Sequence, residues 1–291
     1  HRQSIYNVFL IREIPLMRKI ASWQTVEDLL LRICYEVTKC IFMRPAPFHL
    51  KEKQKIWEEK GKSFYLEIKI LRKRIRVYEY GDGPTILLIH GWGGRGLQLY
   101  PLIQPLRDLG YRVVLFDAPG HGESNGIGST YLEFVKSLSQ LAKNYSDVRG
   151  VVSHSMGGGA AIVLASQISQ QNFKTVLIAP HYDMEAEFHD WAKSAKGLHN
   201  ILDVYIRLSE RLFSYKLSEI NPKNLLQTQR GSFLLIHDVE DQASRYLNSE
   251  LLHQHLPKAK LITTVGKGHN KILHDPEVIR GVSSFFAQKE K

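Results

Sequence analysis

The chain holds 291 residues, 43% of them hydrophobic and 23% charged. That is enough for one large α/β domain with a buried core, and it is not the composition of a disordered chain. The formal charge is +10, yet no aromatic-basic RNA motif, zinc spacing or recognition-helix pattern accompanies it, which argues against a nucleic-acid partner; no apolar run reaches the length of a membrane-spanning helix either.

The charge is concentrated at the front, where residues 1–80 carry 17 Lys and Arg against 9 Asp and Glu. The opening stretch does not read as a secretory signal, because Arg12 and Glu13 cut the apolar run in Ile5–Met17. The chain opens on His1, and Met17, followed by Arg18 and Lys19, is a second candidate start. Residues 25–43 predict an amphipathic helix, with Val26, Leu29, Leu30, Ile33, Val37 and Ile41 at helical spacing and Thr25 with Asp28 at its N-terminus. Cys34 and Cys40 lie six apart on different faces of it, so neither a disulfide nor a metal pair is expected, and a reducing, cytoplasmic compartment fits. Two prolines in Arg44–Phe48 end the helix, and residues 49–62 form a charged short helix or linker. We read residues 1–62 as an N-terminal helical extension packed on the core. A weak contact of this basic region with an anionic membrane surface is the rival expectation.

From residue 63 onward the pattern is β-rich. Phe64–Ile70 and Arg74–Tyr80 predict an antiparallel hairpin turning at Lys73, and Gly81-Asp82-Gly83-Pro84 turns the chain again. Thr85–His90 is a continuous apolar run, as expected of a strand buried on both faces. Strands at Arg112–Phe116, Gly150–His154, Thr175–Ala179, Ser232–His237 and Ala259–Val265 then alternate with helices at Thr130–Asn144, Gly157–Ser169, Ser244–His255 and Pro276–Gln288. Such alternation predicts an α/β fold with a mostly parallel central sheet flanked by helices. Residues 181–230 interrupt the rhythm with helical segments whose apolar faces include Trp191, Leu198, Leu202, Tyr205 and Phe213. An insertion there lies over the strand ends, so we read it as a helical cap on the domain 63–291.

The chemistry is carried by four stretches. Ser153-His154-Ser155-Met156-Gly157-Gly158 follows a buried strand and opens a helix. A serine on such a turn projects its hydroxyl from the sheet edge, and the residues two before and two after it must be small. Gly157 meets that need, while Ser153 stands where glycine is usual. A serine hydroxyl needs a base to become a nucleophile, and His269, in the Gly-rich loop after the last strand, reaches the same edge. The acid that orients this histidine belongs in the loop after Ser232–His237, where Asp241 is preferred and Asp238 is the alternative. His90-Gly91-Trp92-Gly93-Gly94 supplies an oxyanion loop, with the backbone N–H groups of Trp92 and Met156 as donors. No phosphate-loop or dinucleotide fingerprint competes for the glycines.

Together with Asp117-Ala118-Pro119-Gly120-His121-Gly122-Glu123-Ser124, these stretches resemble the α/β-hydrolase fold superfamily, in order and spacing, over residues from about 64 to 288. The resemblance implies a serine hydrolase of the bacterial type with a helical cap, with Ser155, Asp241 and His269 as nucleophile, acid and base and Trp92 as first oxyanion donor. It implies structural roles for Asp117, His121 and His90. Our expectation is hydrolysis of a small-molecule carboxylic ester without metal or organic cofactor. A thioesterase, lipase, amidase or C–C hydrolase would keep the same triad, and a non-catalytic binding protein on this scaffold is the rival of a different class. The oligomeric state is left open.

Overall fold

The structure, a computed structural model, describes residues 26–288 apart from 47, 195–198 and 257. The readings made for His1, Ile5–Met17, Thr25 and Leu198 fall outside the described residues.

Eight strands form one sheet in the order β1-β2-β4-β3-β5-β6-β7-β8. They are β1 (Lys62–Ile68), β2 (Lys73–Tyr80), β3 (Thr85–Ile89), β4 (Arg112–Phe116), β5 (Val148–His154), β6 (Lys174–Ile178), β7 (Ser232–Asp238) and β8 (Ala259–Thr264). β1 and β2 pair antiparallel, β2 runs antiparallel to β4, and the rest of the sheet is parallel, as the alternation predicted. The hairpin turn falls at Lys69–Leu71, with Arg72 in the left-handed region, and Lys73 is already the first residue of β2.

Successive side chains of a strand point to opposite faces, and the apolar runs fill both. Leu87 and Ile89 join one apolar cluster while Ile86 and Leu88 join the other. The helices that cover them are α1 (Val26–Phe42), α2 (Glu52–Lys60), α3 (Ile103–Asp108), α4 (Tyr131–Ala142), α5 (Gly157–Gln167), α6 (Met184–Ser194), α7 (His199–Phe213), α8 (Pro222–Leu225), α9 (Leu247–His255), α10 (Gly268–Lys271) and α11 (Pro276–Ala287). Thr130 caps α4 by accepting from the Glu133 N–H, and Asp275 caps α11 in the same way. None of the described helices is long and apolar enough to cross a membrane.

α1 departs from its sequence pattern. It packs on α7 and α4, but through its other face: Tyr35 and Lys39 are buried, while Leu29, Leu30, Ile33, Val37 and Ile41 are 48–64% exposed. The physical reason is a set of partners that periodicity does not see. Tyr35 stacks on Tyr205 at 5.2 Å and meets Phe213 edge-on. Lys39 Nζ donates to the buried Glu133 carboxylate at 2.8 Å. Glu133 also meets Lys73 Nζ at 3.1 Å, so it is the Tyr35 packing together with the Lys39 pair that turns this face inward.

The topology positions the site. β4 lies on one side of β3 and β5 on the other. The strand order therefore reverses at β3, and a crevice opens at the carboxyl ends beside it. Ile89 of β3 pairs with Ser153 of β5, which brings the 90–94 loop against the β5–α5 turn.

Candidate active site

Ser155 occupies that turn with φ 53°, a left-handed conformation that costs a side-chain-bearing residue energy and persists only where surroundings enforce it. Here its N–H donates to Ile178 O at 2.9 Å and its carbonyl accepts from Gly158 N–H at 2.8 Å. Gly157 is indispensable, because a Cβ there would lie 2.6 Å from His90 O. Ser153 is accommodated: it is buried, and its hydroxyl donates to Val176 O on β6 at 2.9 Å. A hydroxymethyl group thus fills the place usually left to glycine and gains a cross-strand bond.

The 90–94 loop is held by two neutral histidines. His90 donates from Nδ1 to Gly91 O and accepts the Ala118 N–H at Nε2, at 2.7 and 2.9 Å. His121 donates from Nδ1 to Pro119 O at 3.0 Å and accepts the Gly93 N–H at Nε2 at 3.1 Å. Burial pushes His90 down to about 4 and His121, with His90 beside it, down to about 3. Neither faces a reacting group, in keeping with the structural roles expected of them. Asp117 is likewise enclosed, accepting from Gly96 N–H, Glu123 N–H and Tyr78 OH beside Arg95. A Cβ on Gly91 would lie 2.7 Å from Ser155 Cβ, so the loop carrying the Trp92 N–H runs directly past the serine. Met156 is the N-cap residue of α5, at a helix N-terminus where amides lack an intrahelical acceptor.

On the far side of the crevice, His269 in α10 donates from Nδ1 to Asp241 Oδ2 at 2.7 Å. Asp241 Oδ1 accepts from Ala243 and Ser244 N–H. Burial alone would raise this carboxyl; the imidazoles of His237 and His269 and the Ser244 amide outweigh it and hold the group well below the usual range. Asp238 makes no contact with His269. It accepts from Thr264 OH, Lys267 N–H and Glu240 N–H, pinning the β8–α10 loop. Of the two carboxylates left open by the sequence, Asp241 is the one on the histidine.

The structure brings imidazole and carboxylate together but does not hydrogen-bond the Ser155 hydroxyl to His269. His154 joins the two stretches instead. Its Nε2 donates to His269 O at 2.9 Å, and the two rings lie 4.6 Å apart. Burial, with His269 adjacent, pushes His154 down to about 3. This bridge spans 115 residues of sequence, and no local pattern announces it.

Two spaces meet at Trp92. An outer cleft of about 980 Å³ is lined by Trp92, His154 and His269 together with residues of the 48–54 segment. An inner space of about 40 Å³ is lined by Trp92, Met156, Phe188, Leu202 and Tyr205, bringing in α6 and α7 from between β6 and β7.

A family model described as alpha/beta hydrolase fold matches residues 84–200. Among solved structures, an esterase from Pyrococcus furiosus superposes with a TM-score of 0.61 at 21% identity, covering 84% of this chain and 98% of that one. The chain has the α/β-hydrolase fold. It is 35% identical over 111 residues (37% of this chain) to the dihydrolipoyllysine-residue acetyltransferase component of the acetoin cleaving system of Cupriavidus necator. It is 31% identical over 117 residues (again 37%) to a 2-hydroxy-6-oxononadienedioate/2-hydroxy-6-oxononatrienedioate hydrolase of Comamonas testosteroni. The chain spans 29% and 40% of the length of these two relatives.

Proposed function

We propose that this α/β-hydrolase-fold chain hydrolyses carboxylic esters through an acyl-enzyme. The observation that carries the reading is the Asp241–His269 pair, 2.7 Å long, on the same strand-end rim as a serine held at φ 53°. Ser155 Oγ attacks the acyl carbon while His269 Nε2 takes its proton. Asp241 keeps the other proton on Nδ1 and stabilises the imidazolium. The Trp92 and Met156 amides donate to the oxyanion, each contributing roughly 3–4 kcal/mol as such donors do elsewhere. Collapse expels the alcohol, protonated by His269; a water deprotonated by His269 then releases the acid. The hydroxyl–imidazole bond this requires forms on substrate binding, as is common at catalytic contacts that are long in the free enzyme. The helices between β6 and β7 act as the cap, closing the acyl side.

The test is fluorophosphonate labelling of the wild type and of Ser155→Ala. The wild type should be labelled and should turn over nitrophenyl esters; the variant should lose labelling and roughly 10⁴-fold or more of its turnover. Persistent labelling of the variant overturns the nucleophile assignment. Cleavage of a carbon–carbon bond is the second reading, favoured by the likeness to the Comamonas testosteroni hydrolase. Turnover of a 2-hydroxy-6-oxodienoate in preference to every ester would establish it instead.

A further inference from the structure

We propose that the leaving group of the substrate is anionic and that Lys51, Lys53 and Lys271 hold its charge; this rests on the hydrolase reading above. In acyl transfer the C–O or C–S bond breaks with its electron pair going to the leaving atom, which takes a proton from the base that first removed one from the serine. The leaving group must therefore lie beside His269. His269 lines the outer cleft and not the inner space, whereas Met156 lines the inner space and not the cleft. The acyl part accordingly belongs inside, against Phe188 and Tyr205, and the alcohol or thiol part belongs outside.

The ionic lining of the outer cleft is mostly cationic. It consists of Lys51, Lys53, Lys271 and Glu52. Glu52 is already spent on Lys55, at 2.8 Å. Among the described residues no carboxylate pairs with any of the three lysines. Burial and the nearby ammonium groups of Lys51 and Lys53 push the cleft's His274 down, so at neutral pH it offers a hydrogen bond and no charge. The cleft volume, about 980 Å³, suits a sizeable ligand group. Three exposed ammonium groups on one cleft match a phosphate better than a single carboxylate, so a phosphate-bearing alcohol or thiol is the leaving group we assign. Two of the three come from the segment just before and within α2, which makes the region ahead of the sheet a part of the substrate site.

The experiment compares aryl esters of one acyl group and matched leaving-group acidity, the aryl ring carrying a phosphonate, a carboxylate or no charge. At low salt the wild type should prefer the phosphonate over the neutral ester by roughly 10–100-fold in kcat/KM. The carboxylate should fall between them, and the preference should collapse from about 25 to about 500 mM NaCl. The triple variant Lys51→Gln, Lys53→Gln, Lys271→Gln should bring the ratio to within about twofold of unity, while the triple Lys→Arg variant should keep it. Equal rates in the wild type, or a preference surviving in the Gln variant, overturns the proposal. Binding of phenyl phosphate, followed by NMR without turnover, should weaken at least about tenfold in the Gln variant. If the wild type cleaves no ester at all, the hydrolase reading fails by itself, and the phenyl phosphate arm still decides whether the cleft binds anions.

Discussion

The two halves of the strand-end rim carry the same residue types to opposite ends. On the β4 side, Asp117 is buried and its oxygens are taken by two backbone amides, a tyrosine hydroxyl and Arg95, while His90 and His121 spend both ring nitrogens on backbone atoms. On the β7–β8 side, Asp241 is also buried, yet one of its oxygens faces an imidazole whose other nitrogen is left over for the cleft. The first half is closed and the second is open at one atom. Burial pushes Asp117 above the usual carboxylate range even against Arg95, whereas histidine contacts hold Asp241 far below it. The opposite shifts follow from what each carboxylate faces, since both are buried at strand ends.

The sharpest way to break this contrast is to neutralise each carboxylate. Asp241→Asn should lower kcat roughly 10⁴-fold, because the amide favours the wrong histidine tautomer. Its thermal unfolding should fall as well, because a carboxylate held below its usual range stabilises the fold, although the amide oxygen can still accept from Ala243 and Ser244. Asp117→Asn should spare the rate. It takes one carboxylate from the buried Arg95 guanidinium, which keeps Glu58 at 3.1 Å, so the cost should be about 1–3 kcal/mol, while activity per folded molecule stays within about tenfold. Kinetics and calorimetry on the two proteins separate the effects; a stable but inactive Asp117 variant would refute the division.

The histidines extend the comparison to pH. His90, His121 and His154 have folded values of about 4, 3 and 3, all below the unfolded value near 6.5. Below that pH the unfolded chain takes up protons that the folded one refuses. Their contribution is therefore complete above about pH 6.5 and is lost as pH falls toward 4, at about 1.4 kcal/mol per unit for each ring. Urea unfolding at pH 7, 6 and 5 should show a steep decline; stability that is flat over this range would mean these rings are not held neutral.

Much of this rim was legible beforehand because its devices are local. The Ser155 turn needs a small residue at 157, and the Asp117–Ser124 turn lies on consecutive positions. What escaped was long-range. The apolar stripe of α1 is a true periodicity, but its orientation is set by the Tyr35 packing and by Glu133, 94 residues from Lys39. The His154 bridge to the His269 carbonyl joins two loops that only the sheet brings together.

The choice between Asp238 and Asp241 shows the same limit at its smallest scale, and it supplies the mildest prediction. Three residues apart, at the end of β7 and in the loop after it, both carboxylates are within reach of α10 in sequence terms. The deciding geometry is the turn that Asp241 itself makes by accepting from Ala243 and Ser244, which swings its second oxygen onto His269. Asp238 is left to tie Thr264 and Lys267, the segment leading into α10. Asp238→Asn retains one acceptor oxygen and loses charge-assisted bonds, so it should cost about 1–2 kcal/mol of stability. Since it acts on His269 only through the loop, kcat should fall by no more than about tenfold, against about 10⁴-fold for Asp241→Asn. Equal losses from the two substitutions would mean that the loop, and not the carboxylate on the imidazole, governs the rate.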